Sequence, residues 1–307
     1  MLFDAHCDTI SKLYDQKKSL SQNDLHIDFS KMKNFGGVIQ VFALWLDDFF
    51  AYNMPLKKTL ILIDKYYREI EKNGITHIEN KKELDNIIAA NGIGSMLAVE
   101  GGEAIEGNIE YLRILYKLGV RLMTLSWNRR NQIADGLDEK DSKNGLSNFG
   151  RQVVAEMNRL GMVIDLSHSN ETTFYDVMEL TAAPVVASHS NAFSICPHKR
   201  NLTDEQIKAL IKNEGVAGIN LCADFISEKN AQISDVIAHI EHFMELGASK
   251  NIGFGADFDG VDTLPEGIGG IQDMHKIINE LLKLNYPQEM VDGILYKNFV
   301  DLFENIL

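Results

Sequence analysis

Proline is scarce, with 5 in 307 residues, and no Ser-, Gln- or Gly-rich tract interrupts the chain. A flexible joint between domains is therefore not expected. The three cysteines, Cys7, Cys196 and Cys222, cannot all pair and show no Cys-x-x-Cys spacing, which reads as a reduced, cytoplasmic protein. Positive charge is also short: 30 Lys plus Arg stand against 44 Asp plus Glu, a formal net charge of −14. Adjacent cationic residues occur as pairs, among them Lys57-Lys58, Lys81-Lys82, Arg129-Arg130 and Lys199-Arg200. Nucleic acid as a partner is excluded by the lack of a basic stripe, and a cationic membrane-binding face by the same lack. The longest apolar run, Val38 to Leu46, contains Gln40 and stops at Asp47-Asp48, well short of the roughly 20 residues a membrane span needs. The opening Met1-Leu2-Phe3-Asp4 has neither the basic nor the apolar region of a secretion signal.

What is present is ordinary globular composition, 45% hydrophobic and 24% charged, which excludes intrinsic disorder. Short apolar runs recur, at Leu2–His6, Gly37–Leu44, Ser95–Glu100, Arg121–Leu125, Met162–Ser167, Pro184–His189, Val216–Leu221 and Ile252–Asp257. Most are continuous rather than alternating, as in strands covered on both faces by helices. Between them lie stretches with apolar spacing of three and four, clearest at Leu56–Lys72, Ile109–Leu118, Phe149–Leu160, Glu171–Leu180, Asp204–Lys212 and Ile233–Leu246. Gly74, Gly119, Gly161 and Gly247 follow helix ends; Asn170 and Thr203 are N-caps, the latter in a Thr203-x-x-Gln206 capping box. Eight strand–helix repeats, then further helices around Asp273–Leu284 and Pro287–Ile306, predict an α/β fold: one (β/α)8 TIM barrel domain over residues 1–307 with extra C-terminal helices.

The chemistry gathers at the strand ends. The first strand ends in His6-Cys7-Asp8, the third in Glu100, the fifth in His168, the sixth in His189 and the eighth in Asp257. Barrel enzymes build their active sites at that C-terminal rim from several strands. His6 and Asp8, two apart on a strand, face one side while Cys7 turns away. Three His and three carboxylates make an N/O donor set for zinc or a similar divalent metal, more than one tetrahedral ion uses and enough for two sharing a carboxylate. A second His-x-Asp, His26-Ile27-Asp28, reads as surface or supporting structure, and the remaining histidines are assigned no chemistry.

The stretches Asp4-Ala5-His6-Cys7-Asp8-Thr9, Ala98-Val99-Glu100-Gly101-Gly102, Asp165-Leu166-Ser167-His168, Ser188-His189-Ser190-Asn191 and Gly255-Ala256-Asp257-Phe258-Asp259-Gly260 resemble, in order, the motifs of the membrane (renal) dipeptidase family, peptidase M19, which are amidohydrolase-like barrel metallopeptidases. The resemblance implies hydrolysis of dipeptides by a metal-bridging hydroxide in a binuclear zinc site, with two Zn2+ per chain (or Mn2+ or Fe2+) and a homodimeric assembly. It places His6 and Asp8 on the first metal, His168 and His189 on the second, Glu100 between them, and Asp257 as the proton-handling acid. Within Asp257-Phe258-Asp259 the two-residue period of a strand puts both acids on one side; Asp257 is favoured because it closes the strand, which leaves Asp259 to stabilise the loop. The family's carboxylate-holding arginine falls on Arg200; the alternative for Arg200 is a surface pair with an acid such as Asp204. Where family members such as the renal enzyme carry a substrate-contacting His, this sequence reads Thr124-Leu125-Ser126-Trp127-Asn128, with Trp127 at or near that place. Asn128 is then a candidate oxyanion donor, and Asn220 and the loop Asn128–Asp135 are further candidate substrate contacts. The rival readings are another binuclear amidohydrolase chemistry on a cyclic amide, lactone or phosphoester, and a metal-binding barrel without activity.

Overall fold

A computed structural model describes residues 1–139 and 141–307. Nine strands follow in chain order: β1 (Leu2–Cys7), β2 (Val38–Trp45), β3 (Thr76–His77), β4 (Ile93–Glu100), β5 (Val120–Thr124), β6 (Val163–Asp165), β7 (Val186–Ala187), β8 (Val216–Ile219) and β9 (Ile252–Phe254). Their order, β2-β1-β9-β8-β7-β6-β5-β4, closes on itself through β2 and β4, so eight parallel strands form the expected barrel. The closing seam is the longest ladder, running from Val38 opposite Ile93 to Trp45 opposite Glu100. Strand β3 lies outside the ring, paired with the start of β4.

Each of the eight barrel strands is buried on both faces, which explains its continuous apolar sequence. Phe3, Ala5, Ile39, Val41, Ala43, Met96 and Ala98 belong to one apolar cluster. Their alternates, among them Val38, Phe42, Leu44, Leu97 and Val99, belong to a larger cluster shared with the helices. The helix Asn298–Ile306 shuts the N-terminal end of the barrel, because Phe3, at the start of β1, stacks on Phe299 and Phe303 with ring centroids 5.2 and 5.4 Å away. That leaves the opposite rim open for chemistry.

The helix signals act as expected. Gly74 and Gly161 end their helices in the left-handed conformation. The side chain of Asn170 accepts from the Thr173 amide, and Thr203 and Gln206 complete a capping box. Five further helices, Thr9–Asp15, Phe29–Phe35, Asp48–Asn53, Lys81–Ala90 and Ala223–Ile226, carry too little periodicity to be read from sequence, although Asp28, Asp47 and Asn80 cap three of them. The C-terminal stretch is two helices, Gln288–Asp292 and Asn298–Ile306, joined by a π turn at Gly293–Lys297. Beyond that turn the Asn298 amide reaches the carbonyls of Ile252 and Ser249 at 2.7 and 3.0 Å, anchoring the segment to the start of β9.

Several strands are shorter than their apolar runs. β6 stops at Asp165, β7 at Ala187 and β9 at Phe254, so His168, His189 and Asp257 sit on the turns that follow. Backbone contact drives one of these departures: a Cβ on Gly255 would lie 1.6 Å from the Ser188 carbonyl oxygen. Only glycine lets β9 pass so close beneath His189.

The loop after β7 is latched from outside the ring. In the helix Ile233–Glu245, buried His239 accepts from the Ala192 amide at 3.1 Å and donates to the Ile226 carbonyl at 3.0 Å. Burial holds its pKa down at about 4, below the ordinary value of about 6.5. The neutral ring is the stabilising form, so its full contribution is present above pH 6.5 and is lost as pH falls through about 4. Denaturant unfolding of the wild type and His239→Gln at several pH values should show the stability gap narrowing by about 3 kcal/mol from pH 6.5 to 4.

Candidate active site

The turns at the C-terminal rim bring all six expected groups together. Glu100, closing β4, stands in the middle. Its Oε2 lies 3.5 Å from His6 Nε2, which is also 3.7 Å from Asp8 Oδ2 and 3.9 Å from Asp257 Oδ1. Its Oε1 faces the other way, 3.0 Å from His168 Nε2 and 3.6 Å from His189 Nε2. Two sets of donors, His6–Asp8–Glu100 and Glu100–His168–His189, therefore share one carboxylate. All these side chains are buried.

Hydrogen bonds behind the rings settle which nitrogen faces inward. His168 Nδ1 donates to Asn128 Oδ1 at 2.7 Å. His189 Nδ1 donates at 2.7 Å to Ser188 Oγ, whose hydroxyl goes on to Asp165 Oδ2 at 2.6 Å. Both Nε2 lone pairs then point inward, 3.0 Å apart. Such a pair needs a cation to hold it. His6 Nε2 and Asp8 Oδ1 are buried with no hydrogen-bond partner among the described residues, which is costly unless something binds them. The donor set fits a divalent metal.

Asp165 also stands near His6 and His189, yet its oxygens are taken. Oδ1 accepts from the Ser167 and Ser188 amides at 3.0 and 2.9 Å, and Oδ2 from the Thr124 and Ser188 hydroxyls at 2.7 and 2.6 Å. It supports the ligands rather than joining them.

Charge crowding shows in the proton affinities. Burial lifts Asp8 to about 7 and Asp257 to about 6, with Glu100 close to both. Burial also raises Glu100, but the His6 and His168 rings outweigh it and hold its carboxyl below the usual range. Burial and nearby Arg200 keep His168 down at about 4, and His189 falls well below its ordinary value. Desolvation weakens His6 as a base, yet Glu100 and Asp8 reverse the sign and raise it.

The other expected residues surround this group. Asn220 is buried beneath the floor, its amide donating to Asp257 Oδ2 at 2.8 Å. Arg200 is buried in the wall; its Nη2 donates to the His189 carbonyl at 3.0 Å and its guanidinium lies over Phe225, 5.6 Å from the ring centre. It makes no pair with Asp204, whose Oδ1 accepts from Ser194 and His242. Asp259 accepts from the Thr9 hydroxyl and the His26 amide, and the Asp259 amide donates to His26 Nδ1, so both are parts of one loop anchor. Trp127 lies 5.8 Å from the His168 ring and 5.7 Å, edge-to-face, from Trp45. The period-two reading of Asp257-Phe258-Asp259 does not apply, because the strand has ended; His168, Asp257 and Asp259 take φ of 66, 60 and 67°, a strained conformation that clusters at functional sites.

A cavity of about 440 Å3 opens over the cluster, with Trp45, Trp127, Arg200 and Phe225 in its walls. A larger open groove, about 730 Å3, lies between the helices Glu171–Leu180 and Asp204–Lys212 but holds none of these groups. Sequence reasoning missed Ser188, Asp165, Trp45 and Phe225. Asp165 and Ser188 sit inside quoted motifs and were legible as polar residues on otherwise apolar strand ends.

A parallel barrel with buried His and carboxylates at its C-terminal rim defines a metal-dependent hydrolase class. The chain belongs to the membrane dipeptidase family (peptidase family M19), which matches residues 1–306. It is 31% identical over 305 residues to an uncharacterized dipeptidase of Schizosaccharomyces pombe, covering 91% of this chain and 72% of that protein. It is 38% identical over 218 residues to the dipeptidase aclJ of Aspergillus oryzae, covering 70% of this chain and 52% of that protein. Among solved structures, the M19 metallopeptidase dipeptidase AC superposes with a TM-score of 0.91 at 26% identity, over 99% of this chain and 98% of that one. A Rhodobacter sphaeroides metallopeptidase, liganded with a phosphinate mimic of L-Ala-D-Ala, has the same fold: TM-score 0.89, 24% identity, 100% and 99% coverage. Family membership implies a metal cofactor, in keeping with the donor set. Metal titration against a competing chelator should show Ser188→Ala binding about 10- to 100-fold more weakly than wild type, with the circular dichroism spectrum unchanged. Equal affinity would mean that the Asp165–Ser188 relay does not orient His189.

Proposed function

We propose that this protein hydrolyses the peptide bond of dipeptides with two divalent cations, His6 and Asp8 holding one, His168 and His189 the other, and Glu100 shared. The observation that carries this reading is the division of Glu100, one oxygen toward His6 and the other toward His168 and His189. The chemistry supplied when two such ions are bound is an acidified water, with a pKa toward about 7, and polarisation of the scissile carbonyl. Zinc suits imidazole and carboxylate donors, with manganese or iron as substitutes.

This chain's own groups do the rest. Asp257, lifted by burial to about 6 and steadied by Asn220, can take a proton near neutral pH and give it to the leaving amine. Arg200 faces the cavity from a buried position, and its Nε and Nη1 make no hydrogen bond among the described residues. A planar fork so placed suits the C-terminal carboxylate of a short substrate. Asn128 Oδ1 accepts from His168 and so positions that ring, while its Nδ2, the donor an oxyanion needs, belongs to a residue that lines the cavity. The match across residues 1–306 and the single closed sheet support one domain. Among the described residues no helix is long and apolar enough to cross a membrane. Three buried, unpaired cysteines fit a reduced, cytoplasmic setting.

The test is a dipeptide panel assayed with and without a chelator, paired with metal quantification. Turnover should be lost with the metal and regained with zinc, at about two ions per chain. Arg200→Ala should raise KM by about 10-fold or more with a smaller loss in kcat. Dipeptide turnover that survives complete metal removal overturns the reading, and hydrolysis confined to lactones or phosphoesters replaces it.

A further inference from the structure

We infer that Trp45 and Trp127 form the subsite for the N-terminal side chain of the dipeptide, and that this subsite selects large apolar residues; the inference rests on the dipeptidase reading above. Trp45 is the last residue of β2, directly across the closing seam from Glu100. In the ring order β2-β1-β9-β8-β7, and equally by the other way round, β2 lies four places from β7. In an eight-stranded barrel that is the opposite side. Arg200 comes from the loop that follows β7, so Trp45 and Arg200 face each other across the cavity they both line.

That opposition fixes the substrate's direction. A dipeptide with its C-terminal carboxylate on Arg200 and its peptide bond over Glu100 extends its N-terminal residue toward β2. There it meets two indoles packed edge-to-face at 5.7 Å, the second of them against His168. Both rings are half-buried, leaving apolar surface open to the cavity. The backbone under Trp45 is clamped: Ser11 Oγ accepts from its amide at 3.2 Å and donates to its carbonyl at 3.1 Å. A rigid, pre-formed aromatic wall loses little entropy on binding and rewards burial of apolar area. Glycine at the N-terminal position leaves that wall wet, whereas Phe or Leu covers it.

The experiment measures kcat and KM on zinc-loaded enzyme for Gly-Ala, Leu-Ala and Phe-Ala, with Ala-Gly and Ala-Phe as controls at the other end. The wild type should favour Phe-Ala over Gly-Ala in kcat/KM by about 10-fold or more, within the range apolar pockets achieve. Trp127→Ala and Trp45→Ala should each remove most of that preference, chiefly through KM for Phe-Ala, and leave the ratio of Ala-Phe to Ala-Gly unmoved. Trp45→Leu and Trp127→Phe, which keep apolar bulk, should retain most of the preference and guard against misfolding of the alanine variants. Equal losses for Gly-Ala and Phe-Ala overturn the subsite, as does a change confined to the C-terminal residue. Dipeptide hydrolysis with no N-terminal preference removes the subsite alone. Failure of the wild type to cleave any dipeptide removes the dipeptidase reading and the subsite with it.

Discussion

The arrangement turns on Glu100, a buried carboxylate that must face His6 with one oxygen and the His168–His189 pair with the other. Three carboxylates and three imidazoles within one dry site carry opposing demands. Desolvation pushes Asp8 and Asp257 toward their neutral forms, while the inward Nε2 lone pairs of His168 and His189 repel one another at 3.0 Å. Divalent cations satisfy both demands at once, which a protonated residue cannot do. The acids at this rim are therefore not part of the solubilising surface charge, although they count in the net −14.

Such a cluster forms only if its ligands are held against their own repulsion. Asp165 does much of this, since its two oxygens bind groups from the ends of β5, β6 and β7. One fully satisfied carboxylate joins three neighbouring strands and, through Ser188, sets the proton on His189. Left-handed backbone at His168 and Asp257 completes the convergence. Strain of that kind, about 1–3 kcal/mol per residue, persists because the sealed barrel below does not yield. Packing of Phe3 on Phe299 and Phe303 at the far end is thus part of the same construction.

The barrel and the ligand-bearing rim were legible in the sequence because both follow from periodicity. Continuous apolar runs marked strands buried on two faces, and each ligand stood just past such a run. What happens after a strand ends was not legible. Continuation of β9 to Asp257 would put Asp257 and Asp259 on one side; the turn instead sets Asp257 beside His6 and ties Asp259 to Thr9 and His26. Asn128 and Asn220 read as substrate contacts because a polar residue beside a rim can serve either purpose. Asn220 is buried beneath the rim with its amide on Asp257 at 2.8 Å, whereas Asn128 gives its oxygen to His168 at 2.7 Å and still lines the cavity. Trp45 escaped notice for a simpler reason: an aromatic residue at the end of an apolar strand looks like more of the strand.

The acidic surface has little hold on the substrate class in view. A dipeptide at neutral pH is a zwitterion, with a carboxylate of pKa about 3.5 and an amine near 8, so the net charge of −14 exerts almost no net pull on it. What the field does is turn it. Lys12, Lys199 and Arg200 line the cavity together with Asp8, Asp15 and Asp262, and a dipole entering between opposite charges aligns before it docks. In the proposed orientation Arg200, on the β7 side, takes the carboxylate end, and the indoles, on the β2 side, take the uncharged side chain at the other. A longer peptide presents the same spacing between its C-terminal carboxylate and its last peptide bond, so a clamp at Arg200 selects which bond is cut, and any limit on length has to arise at the other end, on the β2 side. On the proposed reading, the position of the scissile bond follows from a guanidinium and a carboxylate held by different strands of one closed barrel, and the indole wall opposite sets what the N-terminal residue meets.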